Sequence, residues 1–374
     1  MLFRSNKTFE ELGEYRSPDG YIDFDKVIEE NEVKTKREVR GNENRAKDWI
    51  EIEGGSVLVK TDVDGQPNSE YSELISCELA KQAGIETAEY DMVRYKGETG
   101  LITKNMCKPG EEMISVYELI GNGPDSETCP DTIDIYHVFD NLDEKLQMEG
   151  FSDEEIDQCM LGLRKQLLFD LTIMEADRHL ENLSLIFGKD ESGKRTVRLA
   201  PMYDTEAALI LGNDPDRMKI IANSWAKTAT LTAMQEPRIS IIPEPETEEE
   251  TPNFPSDMSP GLMSFLAQLQ GGVKKNPKEE YGSLSEEMWK KTFDFLCEDT
   301  RAAEYFENTL SKMDISKAIG KVEEKIGTKL PEHISAMSIA CFEDRKMAME
   351  HRMENSKDEF MQGKKRSDDD IIIW

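Results

Sequence analysis

An aspartate and an asparagine five positions apart, Asp177 and Asn182 in Asp177-Arg178-His179-Leu180-Glu181-Asn182, restrict this chain more than any other feature, because of what flanks them. Upstream, Ile156, Met160, Leu163, Leu167, Leu171 and Met174 recur at steps of three and four, which predicts a helix over 152–176 with one buried stripe. Ser152-Asp153-Glu154-Glu155 supplies a capping box at its start. Downstream, Leu183-Ser184-Leu185-Ile186-Phe187 and Val197-Arg198-Leu199 read as the strands of a hairpin around 188–195. A second carboxylate, Asp204 in Met202-Tyr203-Asp204-Thr205-Glu206, follows just beyond. A buried helix thus delivers the chain to a tight polar loop, and a hairpin returns it to Asp204. D-x-x-x-x-N alone recurs by chance in many chains; the Arg-His insert, the hairpin and the later aspartate give the pattern its specificity. Such a set suits phosphoryl transfer. That chemistry asks a protein for one carboxylate to orient and deprotonate a hydroxyl, and for acceptors that hold Mg²⁺ against a triphosphate.

The first third of the chain reads differently. Ile50, Ile52, Val57 and Val59 alternate, which predicts two short strands joined around Gly54-Gly55, with Lys60 ending the second. An ammonium there can bridge phosphates, although a strand-end lysine is more often simply solvated. Leu74, Cys77, Ala80 and Ala83 make a helical stripe beside Glu73, which has Glu70 and Glu78 as acidic neighbours. Segments 85–93 and 100–102 read as further strands, the second running into Lys104, Asn105 and Met106. Neither G-x-G-x-x-G nor G-x-x-x-x-G-K-[ST] occurs. The stretch 40–47 carries Gly41 and Lys47 in a basic turn whose backbone amides could cover phosphates; an exposed turn is an equal reading.

These residues resemble the catalytic centre of the HipA-like bacterial serine/threonine protein kinases, their smaller pro-inflammatory branch most of all. The resemblance spans roughly 40–215. It implies an α+β, bilobal protein-kinase-like fold, with a small β-rich N-lobe over 1–120 and a mostly helical C-lobe over 121–356. It implies ATP and Mg²⁺, with Asp177 as base and Asn182 and Asp204 as metal ligands. Lys60 would contact the phosphates and Glu73 would be its carboxylate partner. Gly41 and Lys47 would belong to the phosphate-covering flap, and Lys104, Asn105 and Met106 to a hinge that pairs with adenine. The expected partner is a protein substrate; an antitoxin-like partner occurs among relatives, but nothing in this sequence encodes one. His179 is expected to steady Asp177 rather than act as base. One departure matters. Relatives can be silenced by phosphorylation of a flap serine, whereas 37–48 contains no Ser, Thr or Tyr. Control would have to move, and Ser224, Thr228, Thr230 and Thr232 make up the nearest hydroxyl-rich stretch after Asp204. Phosphatidylinositol kinases share the D-R-H-x-x-N loop, so a phosphoinositide or small-molecule kinase stays open as an alternative. So does a catalytically dead nucleotide-binding scaffold.

Composition narrows the partners. Lys and Arg total 46 against 77 Asp and Glu, a formal net charge of −31, which opposes direct binding to nucleic acid or to an anionic membrane. Six scattered cysteines without a C-x-x-C pair read as reduced thiols, not a zinc site. No apolar run reads as a signal peptide or membrane span, so the expectation is a cytoplasmic protein, or one exported by a route that leaves no mark in the sequence. His137, His333 and His351 are too dispersed to form a cluster. The lobes are expected to meet around 121–130, where Gly121-Asn122-Gly123-Pro124 stands. An acidic, proline-rich stretch at 235–258 is too polar to bury, and reads as a mobile loop. Further helices are expected at 141–150, 260–270, 285–297, 300–312, 315–325 and 331–356, followed by a flexible tail over 357–374.

Overall fold

Alternating apolar residues build the first lobe. The computed structural model describes residues 12–30, 35–40, 45–52, 55–62, 68–120, 135–175, 178, 180–210 and 290–361. Strands β1 (Ile22–Asp23), β2 (Thr35–Arg40), β3 (Arg45–Ile52), β4 (Gly55–Asp62), β5 (Tyr90–Tyr95) and β6 (Glu98–Lys104) form one sheet in the order β1-β5-β6-β4-β3-β2. Only the β1 and β5 pairing is parallel. Register sorts the side chains, because directly opposed residues share a face. Val59 lies opposite Asp48 and Ile102, while Lys60 lies opposite Lys47 and Leu101. The outer face therefore carries Ile50, Val57, Val59, Val93, Tyr95 and Ile102. Leu12, Ile22, Phe24 and Val27 from the leading segment seal it. That segment holds helix α1 (Phe24–Glu30) as well as strand β1. Arg16 fastens it to β5 through a two-pronged pair with buried Asp91 at 3.0 and 2.7 Å.

The inner face carries Lys60, Tyr90, Met92 and Leu101 toward helix α2 (Ser69–Ala83) and the main core. Gly84 ends α2 in the left-handed region, at φ 68°, and its N–H returns to the carbonyls of Ala80 and Lys81. One glycine fixes how closely two strands of this sheet approach. A Cβ on Gly100 would sit 2.0 Å from the Lys60 carbonyl oxygen. We therefore expect Gly100→Ala to cost about 1–3 kcal/mol, as overpacking does, and to displace Lys60. Urea unfolding of the variant measures it, and an unchanged midpoint would refute the close approach.

Before residues 121–130, where the lobes were expected to meet, the chain enters a second sheet. Strand β7 (Glu112–Ser115) already pairs with β8 (Ser184–Lys189), and β9 (Arg195–Leu199) completes a three-stranded sheet in the order β7-β8-β9. The stretch 121–130, expected as the meeting point of the lobes, falls outside the described residues. Helices α3 (Val116–Ile120), α4 (Ile135–Met148) and α5 (Asp153–Ile173) follow. The capping box at Ser152 and Glu155 forms on both sides, so α5 begins where its sequence says. It stops before residue 176, because Met174 turns left-handed at φ 56°. A helix over 290–297, here α6, precedes α7 (Thr300–Asn308), α8 (Ile315–Ile326) and α9 (Glu332–Met361). The last continues through Met361, into the stretch expected to be tail.

These C-terminal helices reach back to α2. Gln82 Nε2 donates to the Asp314 carbonyl at 2.9 Å, and Asp314 N–H donates to Gln82 Oε1 at 2.8 Å. Tyr305 Oη donates to the Ala83 carbonyl at 2.8 Å. Helix α2 is thus braced from its far end by the second lobe. Cys77, Cys107, Cys159, Cys297 and Cys341 are unpaired thiols; burial pushes the Cys77 thiol up to about 12. Among the described residues no helix is long and apolar enough to cross a membrane. The expected helix at 260–270, the acidic stretch 235–258 and the hydroxyls at 224–232 lie outside them.

Candidate functional site

Strand β4 carries Lys60 to the inner face of the sheet, where its side chain is nearly buried. Its Nζ lies 2.6 Å from Asp204 Oδ1 and 3.4 Å from Glu206 Oε1. Those two carboxylates come from 144 and 146 positions further along the chain, so the contact joins the lobes. Asp204 sits at φ 58°, a left-handed backbone turn that a side chain rarely adopts, and its N–H donates to Tyr90 Oη at 3.2 Å. Burial pushes the Tyr90 hydroxyl well above its ordinary pKa, which keeps it neutral as an acceptor. Two backbone bonds hold the approach to this turn: Ala88 N–H to the Met202 carbonyl, and Met202 N–H to the Glu86 carbonyl, both at 2.8 Å.

Helix α2 grips the same turn. Thr205 Oγ1 donates to Glu73 Oε2 at 2.6 Å. The Ser72 hydroxyl lies 2.7 Å from the Thr205 carbonyl and 2.9 Å from that of Ala208. Glu73 is fully buried, and its Oε1 has no hydrogen-bond partner among the described residues. Burial raises its pKa, an effect the Lys60 charge opposes. Carboxylate oxygens of Glu73, Asp204 and Glu206 lie within 4.8 Å of one another.

The polar loop is anchored from beneath by Arg178, whose side chain is fully buried. Its Nε and Nη2 donate to Asp170 on α5 at 2.9 and 3.1 Å. Its Nη1 donates to the carbonyls of Asn182 and Tyr203 at 2.9 and 2.8 Å. Burial works against the guanidinium charge, but Asp170 and Glu175 outweigh it and hold Arg178 protonated. Tyr203 adds a second tie, its Oη donating to the Glu181 carbonyl at 2.8 Å and lying 2.7 Å from Ser184 Oγ. One guanidinium therefore links helix α5, the Asn182 turn and the residue preceding Asp204.

A family model for the HipA-like C-terminal domain matches residues 33–251, more than half of the chain. The chain belongs to the HipA-like family. Among solved structures it is similar to the Helicobacter pylori proinflammatory kinase CtkA, at 14% identity and a TM-score of 0.55 over 88% of this chain and 96% of that one. It also matches HipA of the Shewanella oneidensis MR-1 toxin–antitoxin system, solved with HipB and operator DNA. That match has 15% identity and a TM-score of 0.40, over 88% of this chain and 68% of that one. No curated protein matches the sequence. The fold is the α+β, bilobal, kinase-like one.

On this HipA-like frame the site residues fall as follows. Lys60 and Asp204 meet directly, and Asn182 is buried in the turn that Arg178 ties to them. The expected ion pair between Lys60 and Glu73 is not the one formed. Thr205 stands against Glu73, and Lys60 reaches Asp204 and Glu206 instead. Lys47 lies opposite Lys60 in the β3 and β4 register, so both belong to one sheet face. The Lys104 side chain shares the outer face with Val57, and its Nζ pairs with Glu89 at 3.1 Å. Asn105 N–H donates to the Ser56 carbonyl at 3.1 Å, and the Met106 carbonyl accepts from Arg198 at 3.4 Å. Asp177, His179 and Gly41 lie outside the described residues.

Sequence reasoning missed Glu206 as a site residue and used Arg178 only as part of a motif. The spacing of Asp204-x-Glu206 was a weak signal for the first. Nothing local marks an arginine as buried. For a divalent cation the residues fit: Asp204 and Asn182 are oxygen donors of the kind Mg²⁺ takes, and the Glu73 carboxylate, which keeps an orphaned buried oxygen, groups with Asp204 and Glu206.

Proposed function

We propose that this HipA-like chain is an ATP-dependent protein serine/threonine kinase. The convergence of Lys60 on Asp204 across the lobes, at 2.6 Å, is the observation that carries this reading. It brings a phosphate-binding cation and a metal-binding carboxylate to one point, next to the turn that holds Asn182. Asp177 would accept the proton of the attacking hydroxyl. Lys60 would hold and orient the phosphates as a point charge. Asn182 and Asp204 would hold Mg²⁺, which supplies charge neutralisation on the transferring phosphoryl group. The residues act mainly by positioning, which matches a site built from braced backbone. The N-lobe is assigned to the sheet and α2, and the C-lobe to the chain from Glu112 onward.

The test is transfer of radiolabel from the ATP γ-position, in the presence of Mg²⁺, to the protein itself or to casein. Label on serine or threonine is expected, with its loss on adding EDTA. Transfer to phosphoinositide vesicles but not to protein would reassign the substrate. Absence of transfer, with no Mg²⁺-dependent ATP binding by calorimetry, would reject a kinase.

A further inference from the structure

In a working site Lys60 needs two things: freedom to reach the phosphates, and a fixed carboxylate that keeps its flexible four-carbon stem in one direction. Two carboxylates now hold it, Asp204 at 2.6 Å and Glu206 at 3.4 Å. Under the proposed function Asp204 is committed to the metal. The remaining carboxylate is Glu206. Glu73, the residue expected to do this, has its Oε2 taken by the Thr205 hydroxyl and makes no ion pair with Lys60.

We propose that Glu206 is the carboxylate that positions Lys60, and that Glu73 acts one step back by holding the backbone that presents Glu206. This inference rests on the kinase reading above. Three observations support it. Glu206 is nearly buried, so its charge is not dispersed into bulk water. It arrives on the same short segment as Asp204, so one backbone turn places the metal ligand and the lysine partner together. That segment is clamped on both sides of Glu206, by Ser72 on the carbonyls of Thr205 and Ala208 and by Glu73 on the Thr205 hydroxyl. The link from α2 to Lys60 therefore runs through Thr205 and Glu206. Glu206 is a positioning residue: it acts through Lys60 and touches no substrate.

The experiment is a double-mutant cycle on the full chain, reading kcat and KM for ATP by radiolabel transfer to casein, with melting temperature followed in each variant. Glu206→Gln keeps the side-chain volume and removes the charge. It is expected to lower kcat about 30-fold while KM for ATP moves less than about three-fold, because orientation is lost rather than binding. In a Lys60→Met background the same substitution is expected to change kcat by less than about two-fold, since there is no lysine left to orient. Glu73→Gln still offers an oxygen to Thr205, and its loss of kcat should be smaller than that of Glu206→Gln. Equal factors for Glu206→Gln in both backgrounds would overturn the proposal, and so would a larger loss from Glu73→Gln than from Glu206→Gln. If the wild type is active, Lys60→Met is impaired and Glu206→Gln is not, this proposal alone fails. A wild type without transfer or ATP binding rejects it together with the kinase reading.

Discussion

Asp204→Asn is expected to reduce γ-phosphate transfer by about a thousand-fold or more while leaving the chain folded. The substitution keeps shape and one oxygen but removes the charge that makes Asp204 a ligand for Mg²⁺, an effect worth several kcal/mol at the transition state. It also removes the closest partner of Lys60, although Glu206 remains within reach. The side chain of Asp204 is about one-fifth exposed, so water compensates for the lost pair and the melting temperature should move little. Initial rates of label transfer and a melting curve on the same preparation measure the two halves of this expectation. Activity above about one-tenth of wild type would place the metal elsewhere. On the sequence reading, Asp177→Asn should be as damaging, because it removes the base.

Arg178→Met is expected to act chiefly on stability, with a loss of about 3–5 kcal/mol. Arg178 and Asp170 are both fully buried. Removing the cation leaves a carboxylate in the protein interior with no compensating charge, and strips a donor from the carbonyls of Asn182 and Tyr203. Arg178→Lys should rescue only part of the loss, because one ammonium cannot reproduce a fork that serves Asp170 and two carbonyls at once. Urea unfolding of both variants decides it. A methionine variant as stable as wild type would show that the pair contributes nothing net, as some buried ion pairs do.

Much of this arrangement could be read before any coordinates. The helix before Asp177 announces itself because its apolar residues repeat at helical steps and its cap is local chemistry between Ser152 and Glu155. The β8 and β9 hairpin is legible for the same reason: apolar runs flank a polar turn within a few residues. Lys60 and Asp204 were nameable from residue type and resemblance, and the fold brings them together. What was missed had non-local causes. Strand β7 went unnamed, because it is a short segment whose identity as a strand depends on β8, far along the chain.

The sequence by itself determined the elements and the chemical inventory, since helical periodicity, caps, strand alternation and the D-R-H-x-x-N loop are properties of neighbouring residues. Only the tertiary structure decided which carboxylate meets Lys60. On paper the resemblance points to Glu73, and Glu206 goes unnoticed. The choice between them depends on a left-handed turn at Asp204 and on Thr205 standing against Glu73, contacts between residues more than a hundred positions apart. Hydrogen bonds and ion pairs of that kind follow from where backbones are clamped, and no local pattern encodes the clamp.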